Sequence, residues 1–523
     1  MHPIYRRFPD LSRPLRRKAD QKPKYDRKGG RDAQGRPAGF ARPGSDDASS
    51  DCGLTNTAAM LYYGIPAGTT PDAAIHYEAP IMQKTITVTA TGDSLFVAPF
   101  PAGYRAGLLR GIADFIASCD IRITNLETNL SDFEYFPSAY SGGTWLNTRR
   151  EYLDDLLRCG FNCIGTANNH VMDYSCGALL STVDELDRRG LAHAGTGRSL
   201  AEAARPAILK CPGGTVAVFA VDTSFHDASR AGQPTAAIKA RPGVNYLRHT
   251  TAYPISPEEE AQLRAIAGHT GLNFTRDLMV STGFYPADPE GVFVFGGLRF
   301  TTRPDEPKTR CNAKDKARLL DAIRDAGKEC DAVFLLIHCH DDDDTSHDNP
   351  PAYLKEFCRA AVDAGAAAVF GGGCHSLRGI ELHRGAPIFY SLGDFIYQGL
   401  RVEHLPADFM EKFDADVNLS AREALMIRAR GGKVGLHCQK ENYLTVLPKL
   451  TLTGGAVTAI EMMPVSLNFD RKDDFNGLPA VAPPAEAAEI LAKLRELSAP
   501  FGTEIRREGE RFIPFRTATP RVG

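Results

Sequence analysis

Apolar and polar positions alternate from Thr85 to Thr91, where Ile86, Val88 and Ala90 are separated by threonines. A period of two in β-branched residues predicts a strand, which Gly92-Asp93 is expected to end. Residues 108–118 space Leu, Ile and Phe by three and four, which predicts a helix. The same succession recurs downstream. A strand at 121–124 stops at Asn125-Leu126-Glu127, and a helix is expected from about 148 to 157. A strand at 163–166 runs into Asn168-Asn169-His170, a helix covers 178–188, and an apolar strand covers 215–221. Alternating strands and helices argue for an α/β protein with a mainly parallel or mixed sheet.

The alternation breaks over residues 222–310, which are rich in Pro, Gly, Arg and Thr and contain one helical piece near 257–267. A stretch this long between core elements predicts an insertion or cap. The pattern resumes with a helix at 313–326 and a strand at 332–337 ended by His338. A helix at 352–364 and a strand at 366–370 lead into Gly371-Gly372-Gly373-Cys374-His375. A strand at 387–390 precedes Ser391-Leu392-Gly393-Asp394. Residues 444–452 and 457–464 predict a hairpin turning at Thr453-Gly454-Gly455, and 485–497 a helix; 504–523 is left as a C-terminal tail.

Composition changes this picture only at the N-terminus. With 43% hydrophobic and 24% charged residues, the 523-residue chain reads as globular. No apolar run approaches the ~20 residues needed to span a bilayer. Residues 1–50 carry 13 Lys and Arg against 6 Asp and no Glu, although the whole chain has a net charge of −3. That predicts a basic disordered tail at 1–50, followed by a lead-in segment at 51–83. The tail lacks an apolar h-region, so no signal peptide and a cytoplasmic location are expected. The 12 cysteines include no CxxC pair, as suits reduced, buried thiols.

Chemistry enters with the polar residues that stop the strands. Asp93, Glu127, Asn169, His170, His338 and His375 each follow an apolar run. Any one alone is a turn former, a cap or a buried imidazole. On successive strands of one sheet they would meet at one edge, where α/β proteins place their sites. Carboxylate, amide and imidazole suit divalent cations. A two-metal hydrolase holds its ions about 3.5–4 Å apart and uses them to activate water. Asp93 or Glu127 could bridge such a pair, Asn169 could give a neutral oxygen, and His338 and His375 imidazole nitrogens. His338 and His340, two apart, share a side if extended, and one or both can bind metal. His170 is the candidate proton donor to a leaving group, with Asp173 to orient it. Asp341 to Asp344 read as a solvated acidic loop, and the three glycines lack the GK[ST] of a P-loop. No GxSxG, HExxH or post-strand GxGxxG occurs. Cys374 beside His375 is the one cysteine considered as a nucleophile, and the less favoured choice.

At these residues the chain resembles the CapA family of bacterial capsule and poly-γ-glutamate biosynthesis proteins, within the calcineurin-like metallophosphoesterase superfamily. The resemblance runs from about Lys84 to about Thr503. It rests on Thr91-Gly92-Asp93, Asn125-Leu126-Glu127, Ala167-Asn168-Asn169-His170 with Asp173 and Gly177, Arg241-Pro242-Gly243-Val244, the segment Ile388 to Phe395, and Met463-Pro464-Val465. It implies a four-layer α/β/β/α sandwich with an insertion and a C-terminal hairpin plus helix. It also implies one or two divalent ions (Mn, Fe, Zn or similar) at Asp93, Glu127, Asn169, His338 and His375, and His170 as the catalytic imidazole. The implied substrate is an anionic phosphoester or γ-linked glutamate polymer, with capsule-synthesis proteins as partners. Nucleic acid is not expected, since only the basic tail and the superfamily's chemistry favour it. The alternative to a hydrolase is a non-catalytic protein that binds the polymer. Three departures stand out. The family's Gly-His-His-Pro-His is Gly371-Gly372-Gly373-Cys374-His375 here, its His-Trp-Gly is His338-Cys339-His340, and its Ser-Leu-Gly-Asn ends in Asp394. His340 is expected to replace part of what the glycines lose.

Overall fold

The computed structural model describes residues 84–516. The expected basic tail, the lead-in segment to 83 and the last seven residues lie outside the described residues. The fold is mixed α/β, built on two large sheets.

In the first sheet the strands Thr85–Leu95, Ile121–Leu126, Cys163–Gly165 and Ala192–Ala194 run parallel in that order. The Leu444–Thr453 strand pairs antiparallel on the other side of Thr85–Leu95 and forms the expected hairpin with Ala456–Ser466. In the second sheet Gly214–Asp222, Ala332–Cys339, Ala368–Gly373 and Ala386–Phe389 run parallel, with antiparallel strands at both edges. The polar stops therefore sit on two sheets rather than on one. Period-two patterning reports which face of a strand is buried, and it carries no information on which sheet the strand joins.

Alternation divides the apolar residues among three cores. Val88, Ala90 and Ile123 from the first sheet meet Val218, Ala220, Phe334, Leu336 and Phe370 from the second. The opposite face of the first sheet is covered by helices Arg110–Ala117, Leu153–Leu157 and Ser175–Arg188, through Ile112, Ile116, Leu156 and Leu186. The opposite face of the second, with Phe219, Val221, Val333 and Leu335, meets helices Ala313–Glu329 and Ala352–Asp363. Central strands are thus buried on both faces, as parallel strands require.

Three expectations on boundaries are corrected. Gly92-Asp93 does not end its strand, which shifts register between Ala90 and Asp93 and continues to Leu95. The shift brings Asp93 opposite both Asn125 and Asp394. Gly92 is required there, because a Cβ would stand 1.8 Å from the Gly393 carbonyl oxygen. The C-terminal stretch from 504 is not a tail up to 516. Thr503–Glu508 and Arg511–Arg516 form a hairpin on the edge of the first sheet, and Ile505 and Phe512 reach the inter-sheet core. Two apolar anchors among charged residues gave too weak a period to show. Finally, the first part of the expected 222–310 insertion belongs to the main body. Gly243–Val244 pairs with Thr196–Gly197, and Leu247 is buried against the second sheet's helices. The excursion proper is closed at its base by His249–Thr251 paired with Thr309–Cys311, and it carries helices Pro257–Thr270 and Phe274–Ser281.

Candidate metal centre

The C-terminal ends of the central strands of both sheets converge, and their polar residues form one buried cluster. Glu127, just past Ile121–Leu126, is completely buried, and among the described residues neither carboxylate oxygen has a hydrogen-bond partner. Its Oε1 faces His338 Nε2 at 3.6 Å and His170 Nε2 at 3.9 Å. Burial pushes this carboxyl well above its ordinary range, Asp93's charge adds to that, and His375 opposes it. An isolated buried carboxylate is costly. One ringed by imidazole nitrogens has the donor chemistry that suits a divalent cation.

His338 closes the strand Ala332–Cys339 region of the cluster. Its Nε2 meets the Asn169 Oδ1 at 3.0 Å and the His340 Nε2 at 3.1 Å. The expected same-side placement of His338 and His340 therefore holds. Burial alone would depress His338, but the charges of Asp93 and Asp222 raise it. His340 is held well below its ordinary value by burial and by the neighbouring imidazoles, which keeps it neutral and able to ligate. Glu127, His338 and His340 offer ligand atoms within 4.8 Å of one another, and so do Glu127, His375 and Asp394.

Asp93 stands apart from both groups. Its Oδ1 accepts from Asn125 Nδ2 at 2.6 Å and lies 3.4 Å from His338 Nδ1, the nitrogen opposite the one that faces Glu127. Its Oδ2 accepts from the Gly373 backbone N–H at 2.5 Å. Burial would raise Asp93, but His338's charge and the three hydrogen-bond donors hold it below its usual range. In this arrangement Asp93 orients the His338 ring from behind.

That geometry explains the glycine run. A Cβ on Gly371 would stand 2.3 Å from the Tyr390 carbonyl oxygen, and one on Gly373 2.6 Å from the Cys339 backbone nitrogen. A Cβ on Gly372 would stand 2.6 Å from Asp93 Oδ2. The glycines pack backbone and carboxylate tightly between strands, and the space of an imidazole at 372 is filled by Asp93. Gly372→Ala is accordingly expected to displace Asp93, untether His338 and weaken divalent-metal binding by roughly 10–100-fold. Titration with Mn²⁺ followed by calorimetry measures this; an unchanged affinity contradicts the assigned role of Asp93.

Asp173 receives N–H groups from Gly142 at 3.0 Å and Leu146 at 2.8 Å, and its Oδ2 lies 2.6 Å from His170 Nδ1. His170 Nε2 is left facing Glu127 and a cleft. His375 takes a left-handed backbone with φ of 61° and contacts Asp394 through Nδ1 at 3.0 Å. Burial would lower His375, yet Asp394's charge and hydrogen bond raise it to about 9. Left-handed backbone at a non-glycine residue is strained and clusters at functional sites.

Two buried carboxylates were absent from the sequence-derived set. Asp394 was visible as a departure at the end of Ser391-Leu392-Gly393, and only the His375 contact gives it a role. Asp222 pairs in register with His338; its Oδ2 is buried without a hydrogen-bond partner among the described residues, and burial pushes its carboxyl up to about 6. No local motif marked it. Asp341 to Asp344 form a partly exposed loop tied down by Tyr353 and Lys308, as the solvated-loop reading expects. Cys374 is buried and donates to the Ser376 carbonyl oxygen at 3.2 Å.

The fold is mixed α/β, and the buried carboxylate–imidazole cluster at its converging strand ends could hold a metal ion. Residues 87–399 match the family model of the bacterial capsule synthesis protein PGA_cap, and the chain belongs to that family, part of the metallophosphoesterase-like superfamily. Two uncharacterized proteins of Sinorhizobium fredii, y4sH and y4uA, are each 31% identical over 430 residues, covering 80% of this chain and 90% of theirs. The PGA biosynthesis protein CapA of Bacillus subtilis is 26% identical over 253 residues, 48% of this chain and 47% of that protein. Among the described residues no helix is long and apolar enough to cross a membrane.

Proposed function

We propose that this chain is a metal-dependent hydrolase of capsule or poly-γ-glutamate metabolism, built as a four-layer α/β/β/α sandwich. The bond it cleaves is a phosphoester or a γ-glutamyl amide. The observation that carries the reading is Glu127, a fully buried carboxylate without a hydrogen bond, set among His338, His170, His340 and His375. Glu127, His338, His340 and Asn169 would hold one divalent ion, and Glu127, His375 and Asp394 a second. When bound, such ions supply Lewis-acid polarisation of the attacked group and an activated water.

The chain's own residues supply the rest. Asp173 fixes His170 through Nδ1, so a proton at Nε2 faces the cleft and can pass to a leaving oxygen or nitrogen. Asn169 is held by its Nδ2 donating to the Gly142 carbonyl oxygen at 2.9 Å, which fixes the direction of its Oδ1. Asp93 and Asn125 hold His338 from behind.

A second reading, a non-catalytic protein that binds anionic polymer, draws on Gly372 and Gly373, which carry no side-chain ligand where the family usually places imidazoles. Elemental analysis of the purified full chain, with a hydrolysis screen over phosphoesters and γ-linked glutamate peptides, separates the two. The hydrolase reading expects bound metal and metal-dependent turnover. Metal-free protein without turnover on either class leaves only the binding protein.

A further inference from the structure

The cleft above the cluster has a volume of about 450 Å³. Among the described residues its ionisable lining is His170, His340, His347, Cys374, His375, Tyr397 and Arg428, with no carboxylate among them. The acidic groups of the cluster are not among the residues that line it.

Among the described residues, Arg428 is the one permanent cation on this wall. It ends the helix Ala421–Arg428, which Ser420 and Glu423 start with a reciprocal cap. Its guanidinium lies over the Phe409 ring at 5.7 Å, and Nη1 donates to Thr144 Oγ1. Among the described residues it has no ion pair, although it is half-buried. Most buried arginines are matched by a carboxylate. A guanidinium carries five N–H donors in a planar fork, and the protein uses one here. Burial also lowers Arg428 from its ordinary value, so the group is held at an energetic cost that an anionic ligand would offset. The Gly142-Gly143-Thr144 turn links this arginine to the reacting side. Thr144 anchors Arg428, while Gly142 hydrogen-bonds Asn169 and Asp173.

We infer that Arg428 is a specificity-determining residue that binds one oxyanion group of the substrate, a carboxylate or phosphate oxygen pair, beside the bond presented to His170. The inference rests on the proposed hydrolytic site and names what that site selects: substrates anionic next to the reacting group. A carboxylate would come from a γ-linked glutamate residue and a phosphate from a phosphoester; both match the guanidinium fork.

The test is isothermal titration of the full chain, loaded with Mn²⁺, with inorganic phosphate and separately with γ-glutamylglutamate. At least one probe is expected to bind wild-type protein, and the one that does identifies the source of the oxyanion. Arg428→Met is expected to weaken that probe tenfold or more at unchanged metal content and melting temperature. Arg428→Lys keeps the charge and loses the fork, so an intermediate affinity is expected, and this variant carries the test if the methionine variant folds poorly. Equal affinity in wild type and both variants, or no binding of either probe to wild type, overturns the inference. The hydrolase reading is measured separately by metal content and His170-dependent turnover, so either idea can fail while the other stands.

Discussion

His170→Ala is expected to lower metal-dependent turnover by about 10²–10⁴-fold, the usual contribution of a positioned general acid or base. Metal content and melting temperature should stay near wild type. His170 Nδ1 is engaged by Asp173 at 2.6 Å, so the free nitrogen is Nε2, and it faces Glu127 from 3.9 Å across the cleft floor. At that distance the ring is near the reacting group without being a required ligand. Asp173→Asn should reproduce part of the loss by releasing the ring, and should move the pH profile as well as kcat. If His170→Ala instead strips the metal and leaves the residual rate per bound ion unchanged, the ring is a ligand and the proton-transfer role is wrong. The assay is single-turnover hydrolysis of whichever substrate the screen finds, normalised to metal content.

Glu127→Gln should have the largest effect on the metal and an opposite effect on the empty protein. Metal affinity is expected to fall by at least about 100-fold, more than an outer-shell partner costs. Without metal, the wild-type site holds a buried carboxyl without hydrogen-bond partners, raised well above its ordinary range by burial and by Asp93. A raised folded-state pKa means that the folded protein binds the proton more tightly than the unfolded chain. Its contribution to stability is therefore complete below the unfolded value of about 4.3 and is lost as pH rises through the folded value. Metal-free wild type should thus lose stability as pH rises above the unfolded value, with the Asp222 and Asp394 carboxyls, raised to about 6, acting in the same direction, and Glu127→Gln should reduce that slope. Stabilisation by added Mn²⁺ should grow with pH in the wild type, since ligands must be deprotonated to bind, and should be nearly absent in the variant. Thermal melts at three pH values, with and without metal, measure all of this. A wild-type slope of opposite sign contradicts the picture of Glu127 as an uncompensated buried carboxyl.

Much of the site was legible because it lies where strands end. Glu127, Asn169, His170, His338 and His375 each follow a run whose apolar period stops, and the structure brings all five together. The His338–His340 pair followed from period two alone, since Cys339 turns to the opposite face. Asp93 was legible as a candidate, and the structure sets it beside His338 Nδ1, outside the two three-residue groups. Its offset comes from the register shift after Ala90 and from the close approach of Gly393, and a chain pattern cannot show either. Asp222 and Asp394 were missed as members of the cluster for a related reason. Each meets its partner across the fold, 116 residues away at His338 on a neighbouring strand in one case, and 19 residues away at His375 in the bend after Ala368–Gly373 in the other.

The sequence by itself determined the α/β rhythm, the faces each strand buries and the kinds of atom at the strand ends, because these depend on local period and side-chain chemistry. Tertiary structure alone decided that two sheets share the site, that Asp93 stands behind His338 with Gly372 leaving it room, and that Arg428 meets the cleft without a carboxylate. Those outcomes depend on strand order, on register and on which distant backbones approach within a few ångströms. Such contacts are fixed by packing across the whole core, and no window of sequence contains them.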